Sequence, residues 1–251
     1  NATAGGNLGV PLKIANQFYS KNGVPIEEDR EWDYENRFDL KKATATDKFF
    51  IKEGYTTAKL NFDREIRYYA SLGFDGAIWF GQGVLDEDKS LYVQSKQGQS
   101  AANQIDHTWN QTGIFPKKLA HYKSVVGDKS GMTCENYAFP VMTMNNLYLL
   151  YAEALNERGA TQDNVLEWVN LIRKRANLET VQYSWTNFSS NSTKFESKDG
   201  RREIIQRERN IELAFGGQRF WDLRRWKLAY SELNKPITGW DTSAAKAEEY
   251  Y

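Results

Sequence analysis

The chain is poor in several things, and each shortage removes a class of function. It has one cysteine, Cys134, so no disulfide can close within it and no cysteine-based metal site can form. It has two histidines, His107 and His121, too few for a histidine-rich zinc centre. Neither charge is in excess: 33 Lys and Arg balance 33 Asp and Glu. A neutral chain has no global field to draw in a phosphate backbone, which argues against nucleic acid as a partner. No apolar run approaches the ~20 residues that a membrane helix needs. The opening stretch, NATAGGNLGV, lacks the charged head and apolar segment of an export signal. It reads as the interior of a longer protein, so localisation is not legible from the termini.

Rings are abundant. Eight Trp, 14 Tyr and 13 Phe make 14% of a chain of 251 residues, although its mean hydropathy is only −0.70. Such rings fill a core or present flat apolar faces to a ligand. The length suffices for one large domain or two small ones.

Along the chain, Val10–Tyr19 has helical spacing, broken by SKNGVPI at Ser20–Ile26. IRYYASLGF, Ile66–Phe74, is rich in β-branched and aromatic residues and reads as a strand. Asp75–Phe80 reads as a turn and a second strand, so a small sheet element is expected in a helical protein. Residues 81–113 form a long polar stretch of the kind usually kept for function or disorder. Tyr122–Asn136 is a second loop.

From Thr143 the pattern is helical. Met144, Leu147, Tyr148, Tyr151, Ala154 and Leu155 share a broad face of Thr143–Glu157. Val165, Trp168, Val169, Ile172 and Ala176 share a face of Asn164–Leu178. Two such helices joined by RGATQ make an αα-hairpin, the unit of tetratricopeptide-like solenoids. A lone hairpin cannot bury its own face, so the rest of the chain, or a part outside it, must cover it. Ser184–Gly200 reads as a connector. A helix follows from Arg201 to about Phe215, halted by Gly216-Gly217. Another begins near Gln218 and carries Phe220, Trp221, Leu223, Trp226 and Leu228. The end, SAAKAEEYY, reads as frayed.

The stretch RERNIELAFGGQRFWDLRRWK, Arg207–Lys227, sets arginines among rings. Glu208 and Glu212 share a helix face. Arg219, Asp222 and Arg225 share a face of the next helix. Guanidinium groups stack on rings and pair with carboxylates two bonds at a time. Folding back at the glycine pair is expected to bring Glu208 or Glu212 to Arg219 or Arg225, wedged by Trp221 and Trp226. The expectation is a neutralised structural network, not an anion site, because acidic residues match the arginines. Single-strand binding lacks an unopposed basic stripe.

This stretch closely resembles the C-terminal signature of the SusD/RagB family, surface nutrient-binding lipoproteins of outer membranes, whose usual form is R-E-R-x-x-E-L-x-F-E-G-x-R-x-x-D-L-x-R-W. Arg207, Glu208, Arg209, Glu212, Leu213, Phe215, Gly217, Arg219, Asp222, Leu223, Arg225 and Trp226 match. Gly216 stands where the family usually has Glu. Phe18–Ile26, Arg64–Gly81, Leu147–Gly159 and Val169–Leu178 are similar to further family segments, in the expected order.

The resemblance implies a mainly α, SusD-like fold: a tetratricopeptide-like αα-hairpin, irregular loops and a small β element. It implies that residues 1–251 form the C-terminal part of a longer protein, whose N-terminal part carries a lipid anchor. It implies binding of oligosaccharide or polysaccharide, or peptide in some members, without bond cleavage, and delivery to a SusC-like TonB-dependent transporter at the outer-membrane surface. No enzyme activity, cofactor, metal or nucleic acid is implied, and the membrane is reached only through the anchor.

Sugar rings have apolar C–H faces that stack on aromatic rings, and hydroxyls that need polar neighbours. The ligand candidates are therefore Trp79, Phe80, Tyr92, Trp109 and Asn110, in or beside the long polar loop. Strand periodicity also allows Trp79 to turn inward. Trp168, Trp221 and Trp226 lie on helix faces and are expected in the core. No Gly-x-Ser-x-Gly motif is present. Asp63, Glu65 and Asp75 are the acidic residues considered for a glycosidase pair. Asp86–Ser90 lacks the spacing of an EF-hand calcium loop. A helical-repeat adaptor that binds only protein is the alternative reading.

Overall fold

The computed structural model describes residues 8–102, 110–118, 120–126, 132–138 and 140–251. Through the first 140 residues short elements alternate with loops. Helix α1 (Leu12–Ala15) is followed by β1 (Leu40–Lys42) and β2 (Thr56–Ala58), which pair antiparallel with Leu40 opposite Ala58. Helix α2 (Ile66–Ser71) runs directly into β3 (Leu72–Gly73). Strand β4 (Ile78–Trp79) pairs with β5 (Leu91–Tyr92), β3 pairs with β6 (Phe115–Pro116), and β7 (Val125–Val126) pairs with β8 (Met132–Thr133), all antiparallel.

The expected strand over Ile66–Phe74 is thus mostly helix. Its local composition favours extended chain, but tertiary contacts override it. Arg64 is buried and donates to the carbonyls of Ala15, Phe18, Tyr19 and Leu60. The Glu65 carboxylate accepts from the Tyr19 amide at 3.0 Å and from Arg67 Nε at 2.7 Å. The helical turn that follows sends Arg67, Tyr68 and Tyr69 inward together.

The C-terminal part is helical: α3 (Met144–Arg158), α4 (Gln162–Arg175), α5 (Val181–Phe188), α6 (Lys198–Glu212), α7 (Gln218–Arg225), α8 (Ala229–Leu233) and α9 (Ala247–Tyr250). Gly159 ends α3 in the left-handed conformation, at φ 83°. Side chains of Thr161, Thr180 and Ser197 cap α4, α5 and α6. Helices α3 and α4 form the expected hairpin, and α6 packs against α3.

Several helix-face expectations need correction. The buried residues of α3 are Leu149, Ala152 and Asn156, which lie toward α4 and α6. Of the broad face read from the sequence, Tyr148 and Leu155 pack against the core, while Met144, Leu147, Tyr151 and Ala154 are exposed. On α4, Val165, Val169 and Ile172 are buried as expected, and Ala176 just beyond it is too. Trp221 is 63% exposed, Phe220 is exposed beside it, and Trp226 is half-buried, so α7 turns only Leu223 and Asp222 fully inward.

Two segments read as unstructured are also packed. Ser184–Gly200 begins inside α5, where Trp185 is buried edge-on to Tyr19 at 5.8 Å. The end of the chain is pinned, not frayed. Trp240 and Tyr250 are buried, and the Tyr250 hydroxyl lies 2.7 Å from Ser95 Oγ. The Tyr251 hydroxyl donates to Asp75 at 2.9 Å, and Lys96 pairs with the same carboxylate. One hydrophobic core joins the first described segment (Val10, Phe18), the helices (Leu149, Val165, Ile204) and the tail (Trp240, Tyr250). The chain is mainly helical with small paired strands, as its sequence implies.

Candidate functional site

Two assemblies combine rings with polar groups. The first is the ion network at α6 and α7. Arg67 Nη1 donates to Glu208 at 2.6 Å and to Glu212 at 3.1 Å. Arg173 approaches the other Glu208 oxygen at 3.6 Å, and Arg175 pairs with Glu212. Arg209 forks onto Asp222 at 3.0 and 3.1 Å. Arg225 bridges Asp222 (2.7 Å) and Glu153, which also accepts from Trp226 Nε1 at 2.8 Å. Arg219 reaches Glu232 at 3.3 Å.

The expected network exists, but its pairing differs. Glu208 and Glu212 meet Arg67, Arg173 and Arg175 from α2 and α4, not Arg219 or Arg225. The reason is topological: α2 is a helix, and its Arg67 reaches the buried face of α6. Glu208, Arg209, Glu212 and Asp222 are all buried. Burial works to lower the Arg67 guanidinium, but the charges of Glu208, Glu65 and Glu212 outweigh it and hold it well above its ordinary pKa. Each of these carboxylates already faces at least one guanidinium. The network therefore acts as a clasp between α2, α4, α6 and α7, with no surplus charge to offer a ligand.

The second assembly is a row of rings at the surface. Phe80 and Tyr122 lie 6.4 Å apart between centroids, Tyr122 and His121 5.0 Å, and His121 and Tyr137 5.4 Å. The three interplanar angles are 24–27°, so neighbouring rings are near-parallel. Phe80, Tyr122 and Tyr137 are each 42–46% exposed.

Backbone contacts hold the row. Gly81, at φ 92°, lets the Tyr122 carbonyl approach so closely that a Cβ there would sit 2.1 Å from its oxygen. The Gln82 amide donates to that carbonyl at 2.9 Å, and its side chain donates to the His121 carbonyl at 3.2 Å. Behind, Lys117 Nζ donates to the carbonyls of Ile78 (2.8 Å) and Tyr69 (3.1 Å). Burial pushes Lys117 down to about 8.

The sequence-stretch candidates divide. Phe80 stands in the row. Trp79 lies behind it, half-buried, with its ring so close to Gly73 that a Cβ there would be 2.6 Å away. Tyr92 is half-buried, edge-on to Tyr55 at 5.6 Å. Asn110 is buried. Its carbonyl oxygen accepts from the amides of Thr112 (2.9 Å) and Gly113 (3.1 Å), and its nitrogen donates to the Ile114 carbonyl at 2.6 Å. That amide organises the turn before β6. Trp109 lies outside the described residues. His121, Tyr122 and Tyr137 were not among the candidates. Their one sequence signal is that they are rings in polar loops, and the fold brings them to Phe80 across some forty residues or more.

Among the acidic residues considered for catalysis, Asp63 pairs with Lys21, Glu65 with Arg67 and Asp75 with Lys96. Among the described residues no group of three His, Cys, Asp or Glu could hold a metal ion, and no helix is long and apolar enough to cross a membrane.

A pocket of about 220 Å³ opens next to Tyr137, between the start of α3 and the turn that joins α6 to α7.

Comparison with known proteins gives one consistent answer. The family model described as the SusD family matches residues 1–251. SusD-like protein P2 of Formosa agariphila is 34% identical over 111 residues, covering 44% of this chain and 21% of that protein. The solved structure of BT4246 superposes with a TM-score of 0.77 at 22% identity, over 97% of this chain and 38% of the other. A SusD-like protein of Bacteroides fragilis, BF3747, gives 0.59 at 23% identity, over 88% and 37%. The chain thus spans about a fifth of the curated relative and under two fifths of these solved chains. Signature, helical architecture and a match along every residue agree, and the chain belongs to the SusD family.

Proposed function

We propose that this chain is part of a non-catalytic surface protein that captures oligosaccharide or polysaccharide and passes it to a SusC-like TonB-dependent transporter. The complete protein would sit at the outer-membrane surface through a lipid anchor outside this chain. Membership of the family supports the general role. The observation that carries the ligand class is the surface row Phe80–Tyr122–His121–Tyr137, in which Phe80, Tyr122 and Tyr137 are exposed. Closely spaced rings at the surface offer their outward edges and end faces to successive sugar units, at low entropic cost because the row is already formed. Trp79 and Tyr92 lie on the paired strands β4 and β5 that lead into Phe80, and Trp109 is the further candidate in the polar sequence that follows.

Isothermal titration of the complete protein against soluble starch, arabinoxylan, pectin and alginate tests this reading. Binding to one of them is expected, weakened about tenfold or more by Tyr122→Ala or Phe80→Ala, and weakened also by Trp109→Ala. No new reducing ends should appear on prolonged incubation.

The outer face of α3 favours a second reading, because Met144, Leu147, Leu150 and Tyr151 are all exposed there. A protein-binding adaptor would use such a face. If no glycan binds and only protein is recovered in pull-down, that reading replaces the first.

A further inference from the structure

We infer that the pocket beside Tyr137 is a subsite for the terminal unit of the glycan whose chain lies along the ring row. The inference rests on the glycan reading above and adds where the chain ends. Tyr137 belongs both to the row and to the pocket wall, so the two are continuous. Pro140 and Val141 extend that wall with apolar surface.

Two polar groups of the pocket remain unspent, while Asn145, Asn146 and Glu212 are engaged within the protein. Thr143 is the N-cap residue of α3, yet its hydroxyl makes no capping bond, and Gln218 opens α7 with its amide unpaired among the described residues. A hydroxyl and a carboxamide both donate and accept, as sugar hydroxyls do. Glu212 also lines the pocket, but its carboxylate is taken up by Arg67, Arg175 and Asn145, so the pocket does not ask for a cation. Lys118 lines the pocket too, and its ammonium donates to the Glu212 carbonyl at 2.6 Å. An apolar ring face opposite the neutral donors and acceptors of Thr143 and Gln218 is the pattern that one pyranose unit satisfies. The volume agrees: about 220 Å³ lies below the ~300 Å³ at which pockets for larger ligands begin. It has room for one ring.

Gly216 completes the argument. It lines the pocket at the position where the chain departs from the signature. Its backbone is not in the left-handed region, and the nearest neighbour of an added Cβ would be the Leu213 carbonyl oxygen at 3.1 Å. A side chain is therefore sterically admissible at 216 after a small shift, and it would intrude on the space that glycine leaves open.

The test uses the complete protein, the polysaccharide that binds in the titration above, and its di- to hexasaccharides. Gly216→Glu should weaken the oligosaccharides about tenfold while leaving the long polymer within about twofold, because internal stretches still use the row. Thr143→Val should weaken the oligosaccharides about three- to tenfold, the loss of one hydrogen bond. Unchanged thermal melting of both variants confirms the fold. If neither variant alters oligosaccharide binding while Tyr122→Ala abolishes it, the subsite is wrong and the glycan reading stands. If the wild-type protein binds none of the probes, both fall.

Discussion

The clasp at α6 and α7 and the row at Phe80–Tyr137 use similar materials to opposite ends. The clasp buries Arg67, Arg173 and Arg209 against carboxylates, and Trp226 spends its N–H on Glu153. The row leaves Phe80, Tyr122 and Tyr137 exposed, and the Tyr122 and His121 carbonyls tie it to Gln82. A buried charged group costs several kcal/mol unless it is fully paired, so a buried network tolerates no spare capacity. An exposed ring keeps part of its apolar surface in contact with solvent, where a ligand can reach it. Richness in Arg and Trp is therefore a poor guide to a binding site until the partners are known.

The sharpest way to break this contrast is Glu208→Gln. It weakens the counter-charge that Arg67 and Arg173 share, and should cost about 3–5 kcal/mol in urea unfolding. A cost below about 1 kcal/mol would mean that the clasp is not a structural unit. Alkaline titration probes the buried groups in another way. Burial depresses Lys117 from 10.5 to about 8. The unfolded chain therefore binds more protons between those values, and this group makes stability rise from pH 8 toward 10. Burial raises Tyr68 from 10.0 to about 12. There the unfolded chain releases its proton first, and stability falls above pH 10. Unfolding midpoints across pH 7–11 should show both limbs, and Lys117→Met should remove the rising one. At the rim of the clasp, Arg225→Ala should cost about 1 kcal/mol or less, because its side chain is 37% exposed and Asp222 keeps Arg209. Smallest of all, Tyr122→Ala should leave unfolding stability within about 0.5 kcal/mol of wild type while it weakens ligand binding about tenfold or more.

The helices were legible where periodicity is long. The spans of α3, α4 and α6 match their apolar spacing within a few residues. The glycine pair marks the break before α7, with Gly217 at φ 80°. What failed was burial decided by distant partners. IRYYASLGF has strand-like composition, but Arg64 and Glu65 are held by Ala15–Tyr19, about fifty residues earlier. Trp185 and Trp240 look like loop residues until Tyr19 and Tyr250 are placed beside them. Trp221 looks like a core residue until α7 is seen to bury only its Asp222–Leu223 side. The α3 stripe was read one face away from the side that meets α4 and α6. At the candidate site Phe80 was visible, as a ring leaving a strand into a polar loop. His121, Tyr122 and Tyr137 were not, because nothing local in a sequence reports which loops will lie side by side.

Gly81 carries a practical lesson for redesign. The rings on either side of it sit on surfaces with few internal obligations, so their identities can be varied broadly to seek new sugar preferences. Gly81 itself belongs outside any such library. Every other amino acid would drive a carbon into the Tyr122 carbonyl and pull the two loops apart, and a screen that randomised it would score collapsed scaffolds as lost recognition.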